Sequence, residues 1–231
     1  MVLRLSLTSF ITLADTRKKL SLPSSGDVDI LSNMIRALWN QASAFVGKPV
    51  SAAAISIPHL AALYGEDVLD AFEYLSLAYL ELFPLSNFQP IYASIAAYAG
   101  NGLTLCEDYR APAGCEEEEL HMPSRFALAV LYTRTSLTTS QAHLSNAYSL
   151  EETQNLENLR LGYDARHEGP VQRNISIVLL FGGATKEPRF RDVLEEVIDN
   201  VVNGNSEIVD QQLGFSAAKG TAELAKSAIF R

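Results

Sequence analysis

Residues 175–194 read ISIVLLF GGATKEP RFRDVL. From Ile175 to Phe181 nearly every position is β-branched or large and apolar, the pattern of a strand buried on both faces. Gly182 and Gly183 end that run. Pro188 suits the first turn of a helix, where a missing N–H costs nothing. Phe190, Val193, Leu194, Val197, Ile198 and Val201 then recur at helical spacing. Strand, glycine turn and helix in this order are the unit of an α/β fold. Paired glycines let a backbone approach a ligand, and a helix N-terminus attracts anions. The commoner use of such a pair is a tight turn without a ligand. Gly182 and Gly183 are the candidates for such an approach, and Thr185 and Lys186 share their turn.

Upstream, Ile30, Leu31, Met34, Ile35, Leu38, Ala42 and Phe45 mark one helix face, with Gly47 at the C-terminal cap and Pro49 beyond. Val50–Ile57 reads as one buried strand stopped by Pro58. A helix over 66–79, a short strand around Leu82 and a small-residue helix over 93–99 follow. Gly100–Ser124 reads as irregular. Phe126–Tyr132 is a strand, and 137–148 its hairpin partner. A last helix covers about 215–229. The opening segment reads as a strand, with Leu3, Leu5 and Leu7 on one face, rather than as a signal peptide.

The chain has 231 residues, 48% of them hydrophobic, enough for one sizeable core or two small lobes. With 18 basic against 27 acidic residues the net charge is -9, which leaves no basic footprint for nucleic acid. No apolar run is long enough to span a bilayer.

GGATKEPRFRDVL resembles the adenosine-side motif of the actin-like ATPase superfamily, in particular the seventy-kilodalton heat-shock chaperones. Gly182, Gly183, Thr185, Lys186 and Pro188 match their Gly-Gly-x-Ser/Thr-Arg/Lys-x-Pro. LGFSAAKGTAELAKS (213–227) is similar to the Gly- and Ala-rich helix that follows in the family. ILSNMIRALWNQASAFVGKPVSAAAISIPHL (30–60) is similar to its helix, lysine-x-valine and proline-ended strand. Leu161-Gly162-Tyr163-Asp164 resembles its Leu-Gly-Gly-Glu-Asp turn. The resemblance covers roughly residues 27–228. It implies an incomplete two-lobed actin-like ATPase (ribonuclease-H-like) fold of the α/β class. Residues 1–26 would be an N-terminal strand/loop segment, 27–125 a remnant of the first lobe with the cysteine loop, and 126–231 a remnant of the second.

Several family features are missing. Asp15-Thr16 lacks the glycine of the first phosphate hairpin. Where the second glycine-rich phosphate loop belongs, the chain has Tyr132-Thr133-Arg134-Thr135-Ser136. The catalytic glutamate falls on Gln89 or Ala93, neither a base. Magnesium-ATP hydrolysis needs carboxylates for the metal and N–H groups for the phosphates. No catalytic residue and no metal ligand is therefore assigned. The reading is a non-catalytic, chaperone-ATPase-like protein acting by binding a partner or, weakly, a nucleotide; the cofactor is unknown, with ATP or ADP the candidates. The alternative is a nucleotide-binding ATPase completed by a partner chain or by divergent residues. An incomplete product of a longer gene, or a remnant with no selected function, also stays open.

Cys106 and Cys115 either pair across CEDYRAPAGC or are two unrelated thiols. The cytoplasm is slightly favoured, and a secretory route follows if they pair. Glu116–Glu119 reads as a solvated acidic loop, with a metal site the second reading. Asn174-Ile175-Ser176 reads as a chance sequon beside a buried strand, and His59 as a strand-end residue.

Overall fold

The computed structural model describes residues 7–60, 63–82, 90–145, 150–155, 175–201, 206–210 and 214–229. It is mixed α/β, and the chain divides into two compact units. The first takes Met1–Ala54 with Ala62–Pro90, and the second Ile55–Ala61 with Ile91–Arg231. Residues 91–125 group with 126–231 in the second unit.

In the first unit, α1 covers Leu7–Lys19 and α2 Gly26–Val46. The strand expected from Leu7 onward is therefore a helix; residues 1–6 lie outside the described residues. Leu7, Phe10, Ile11 and Ala14 also satisfy helical spacing, and a run this short fits both periods. Ser25 caps α2 by accepting from the Val28 N–H at 3.1 Å. Gly47 closes it in the left-handed region, at φ 73°, as its position before Pro49 implies.

The buried face of α2 matches the one expected only at Ile35. Val28, Ser32 and Ile35 turn inward, while Ile30, Met34, Leu38 and Phe45 are exposed. Ser32 is accommodated because its hydroxyl donates to the Val28 carbonyl at 2.6 Å. Helix α3 (Gly65–Tyr74) packs on α2 through Val68, Ala71 and Phe72. It is shorter than the 66–79 expected, since Ser76 at φ 53° turns the chain into β3 (Ala78–Tyr79). The strand expected around Leu82 is this one, displaced by three residues.

Val50–Ile57 is not one strand. Its first half, β1 (Ala52–Ala53), pairs in parallel with β3. Its second half, β2 (Ser56–Ile57), belongs to the second unit and pairs in parallel with β4 (Ile91–Tyr92).

The second unit holds a five-stranded sheet ordered β7-β6-β5-β8-β9. Strands β5 (Arg125–Tyr132), β6 (Leu137–Leu144) and β7 (Leu150–Asn155) form an antiparallel meander. Strands β8 (Ile177–Phe181) and β9 (Glu207–Val209) extend it in parallel. All five residues of β8 are buried, as its unbroken apolar run implies. On one face Val130, Val178, Leu180 and Ile198 form a core, with Phe190 and Leu194 of α6 (Pro188–Val201) packed against it. Val193 and Val197, expected on that inward face, are exposed instead.

Helix α4 (Ala93–Gly100) of the same unit is buried at every residue. It packs closely on α7 (Ser216–Ala228). A Cβ on Gly100 would overlap the Ser216 carbonyl, and one on Gly220 the Ala96 carbonyl. Two backbones at that separation admit only glycine at the crossing.

The 100–124 segment is more regular than expected. Cys106 and Cys115 form a disulfide, with Cα atoms 5.1 Å apart. Pro112 opens helix α5 (Pro112–Leu120), so the acidic run is helical rather than a loop, and Glu119 is buried.

Candidate functional site

Strands β5 and β8 run in parallel as neighbours, with Leu131 in register with Phe181. Their carboxyl ends therefore lie side by side, the place where open α/β sheets present ligands. Two turns follow from them: 182–187, holding the glycine motif, and 133–136, holding the position of the expected second phosphate loop.

Gly182 has φ +111°, a conformation L side chains rarely adopt, and a Cβ there would overlap the Tyr132 carbonyl. The Ala184 N–H donates to that same carbonyl at 3.2 Å. Gly182 is thus required by its approach to β5. Thr185 is buried, and its hydroxyl donates to the Gly182 carbonyl at 2.6 Å. That hydroxyl closes the turn. Gly183 differs: it is exposed, and a Cβ would meet nothing within 4 Å. Lys186 is also exposed. Of the four candidates, two build the turn, and two face outward where a ligand can reach them.

The second turn uses three of its N–H groups internally. Thr133 Oγ1 accepts from the Thr135 N–H at 3.3 Å and from the Ser136 N–H at 3.0 Å. The Thr133 N–H itself donates to the Ser136 carbonyl at 2.9 Å. A phosphate grip needs several N–H groups free and convergent. In this turn a threonine hydroxyl takes the place of the phosphate oxygen. Arg134 projects from the turn, exposed. Tyr132, where the resemblance calls for a metal-anchoring aspartate, stacks its ring on Phe190 with centroids 4.3 Å apart. The aromatic pair joins the end of β5 to the first turn of α6.

Ala93, the first residue of α4, is buried. Gln89 and Leu161-Gly162-Tyr163-Asp164 lie outside the described residues, as does Asn174 of the sequon. Asp15 is an exposed residue of α1 in the first unit, with no hairpin around it.

His59 follows the end of β2 in the second unit and is buried. Its ring stacks on Tyr92 at 3.8 Å, and Nε2 lies 3.2 Å from the Ser94 Oγ. The gap beside it, lined by Ser94, Leu131, Thr139 and Phe181, measures about 10 Å³, room for at most one water.

The sequence reading missed Thr133 as the residue that fills its own turn. A signal was present: a threonine two and three residues before amides at a hairpin bend is the pattern of a hydroxyl-closed turn. No family model matches the chain, and no curated protein matches it.

Proposed function

We propose that this chain is a non-catalytic protein of the chaperone-ATPase type that works by binding a protein partner and touches an adenine nucleotide at most weakly. The observation that carries the reading is the internal use of the Thr135 and Ser136 N–H groups by Thr133 Oγ1. Freeing them for a phosphate would break two hydrogen bonds, each worth about 0.5–1.5 kcal/mol. The actin-like resemblance is supported by the order strand, Gly-Gly turn, helix around residue 182 and by its position beside the end of β5. Fold likeness does not by itself carry an activity, so the reading rests on the turn chemistry.

The alternative is a nucleotide-binding ATPase. One observation favours it: Gly183 and Lys186 are exposed beside the α6 N-terminus, so the adenosine side of the site stays open. Among the described residues no helix is long and apolar enough to cross a membrane. The Cys106–Cys115 bond supports maturation in an oxidising compartment over the cytoplasm.

Calorimetric titration of the chain with ATP and ADP, with and without magnesium, separates the two readings. The expected result is no saturable binding at micromolar nucleotide, and no magnesium effect. Magnesium-dependent binding in that range favours the ATPase.

A further inference from the structure

Helix α5 assembles a second group of chemistry-bearing side chains away from the turns at the ends of β5 and β8. Pro112 starts the helix, and from there Cys115 and Glu119 fall one turn apart on its buried side. Cys106 meets them from the preceding loop. All three are interior, at 7%, 3% and 6% exposure. Glu116, Glu117 and Glu118 of the same run are exposed. The two sulfurs and a Glu119 oxygen lie within 4.8 Å of one another, and Cys115 Sγ is 3.5 Å from Glu119 Oε1. A disulfide sulfur has no proton to donate, so helix geometry rather than a shared hydrogen sets that approach. Two sulfurs and a carboxylate oxygen are all donor types that zinc accepts.

We propose that Cys106, Cys115 and Glu119 form a redox-gated zinc site. In the oxidised chain the two sulfurs are bonded to each other and no metal binds. Reduction by two small thiols, which leave as their disulfide, or by a phosphine with water, which leaves as the phosphine oxide, delivers two electrons and two protons and yields two thiols. A zinc ion then displaces both thiol protons to solvent and takes two thiolates and the Glu119 carboxylate as ligands. Zn–S bonds of about 2.3 Å and Zn–O bonds of about 2.0–2.2 Å set ligand spacings near 3.5–3.8 Å in a tetrahedron. The Cys115–Glu119 spacing already meets that, while the two bonded sulfurs must part. Thiolates select zinc over magnesium or calcium. Three protein ligands leave a fourth position for water. The consequence is structural as well. The 107–110 loop places the Tyr109 ring 4.8 Å from Lys226 Nζ of α7. Either the disulfide or the metal would hold that loop there, so the segment stays fastened in both redox states.

The test uses the full chain, reduced with a phosphine and kept anaerobic, titrated with Zn²⁺ against a chromophoric chelator. The reduced chain should bind one equivalent, and the oxidised chain none. Glu119→Gln should weaken binding at least about tenfold, while Glu116→Gln should leave it unchanged. No binding by the reduced chain overturns the proposal, as does a Glu119→Gln affinity equal to wild type. Because reduction by itself can loosen the loop, thiol alkylation gives a second readout. Equimolar Zn²⁺ should slow labelling of Cys106 and Cys115 at least about tenfold in the wild type and not in Glu119→Gln. Equal labelling rates with and without zinc overturn it.

Discussion

Gly182 lies against the carbonyl oxygen of Tyr132 so closely that a Cβ would overlap it, while its neighbour Gly183 faces open space. The pair that reads as one motif is thus divided between structure and exposure. Gly182→Ala should destabilise by about 1–3 kcal/mol, from overpacking and from the positive φ. Gly183→Ala should stay within about 0.5 kcal/mol. Denaturant midpoints of the two variants check this, and equal losses would show that the turn is not anchored on Tyr132.

Helix α7 poses the same question with opposing terms. In a helix interior alanine is favoured over glycine by about 0.5–1 kcal/mol. At Gly114 of α5 nothing opposes that gain, so Gly114→Ala should stabilise. At Gly220 the new methyl meets the Ala96 backbone, which cannot move aside as a side chain can. Gly220→Ala should therefore lose about 1–3 kcal/mol net. Thermal melts should shift in opposite directions. A stabilised Gly220→Ala variant would refute the close α4–α7 crossing.

The face of α6 is tested by three truncations. Ile198 is buried, Leu194 partly buried against the same core, and Val193 half exposed. Ile198→Ala should cost about 2–5 kcal/mol, Leu194→Ala less, and Val193→Ala about 0.5 kcal/mol or less. If Val193→Ala matched Ile198→Ala, α6 would turn a different face to Val178 and Leu180.

These three regions also mark how far the sequence could be read. Residues 175–201 were readable because a buried strand, paired glycines and a proline leave little choice of conformation. The small residues of 93–99 announced a close crossing, and Gly220 lay in the segment that supplies its partner. The face of α2 was not readable, since Ile30, Met34 and Leu38 form as good an apolar row as Val28 and Ile35. Ser32 conceals the true interior by bonding its own helix backbone. The division of Val50–Ile57 between two sheets had no local signal, because partner strands at 78–79 and 91–92 impose it. At the site, the glycines were found, but the residue that closes the second turn, Thr133, was passed over as a mere loss of glycine.

Asp67 offers a pH test. Burial, foremost, holds its carboxyl above the usual range, with the Tyr64 N–H opposing and Asp27, Asp70 and Glu66 adding repulsion. A carboxyl raised in the folded state disfavours folding when ionised. Its penalty is present at neutral pH and disappears as pH falls through the raised value. Asp67→Asn keeps an acceptor for Tyr64 and removes the charge. It should melt higher than wild type at pH 7, with the difference shrinking in mild acid. A variant that melts lower at pH 7 and converges upward in acid would reverse the sign.

The turn at 133–136 spends its Thr135 and Ser136 amides on Thr133 Oγ1 and its Thr133 amide on the Ser136 carbonyl. Steady-state phosphate release from magnesium-ATP by the purified chain tests this most directly, beside Gly183→Val, which fills the open approach at the neighbouring turn. No release above background is expected from either protein. Turnover by the wild type that Gly183→Val abolishes would contradict the non-catalytic reading and establish an ATPase.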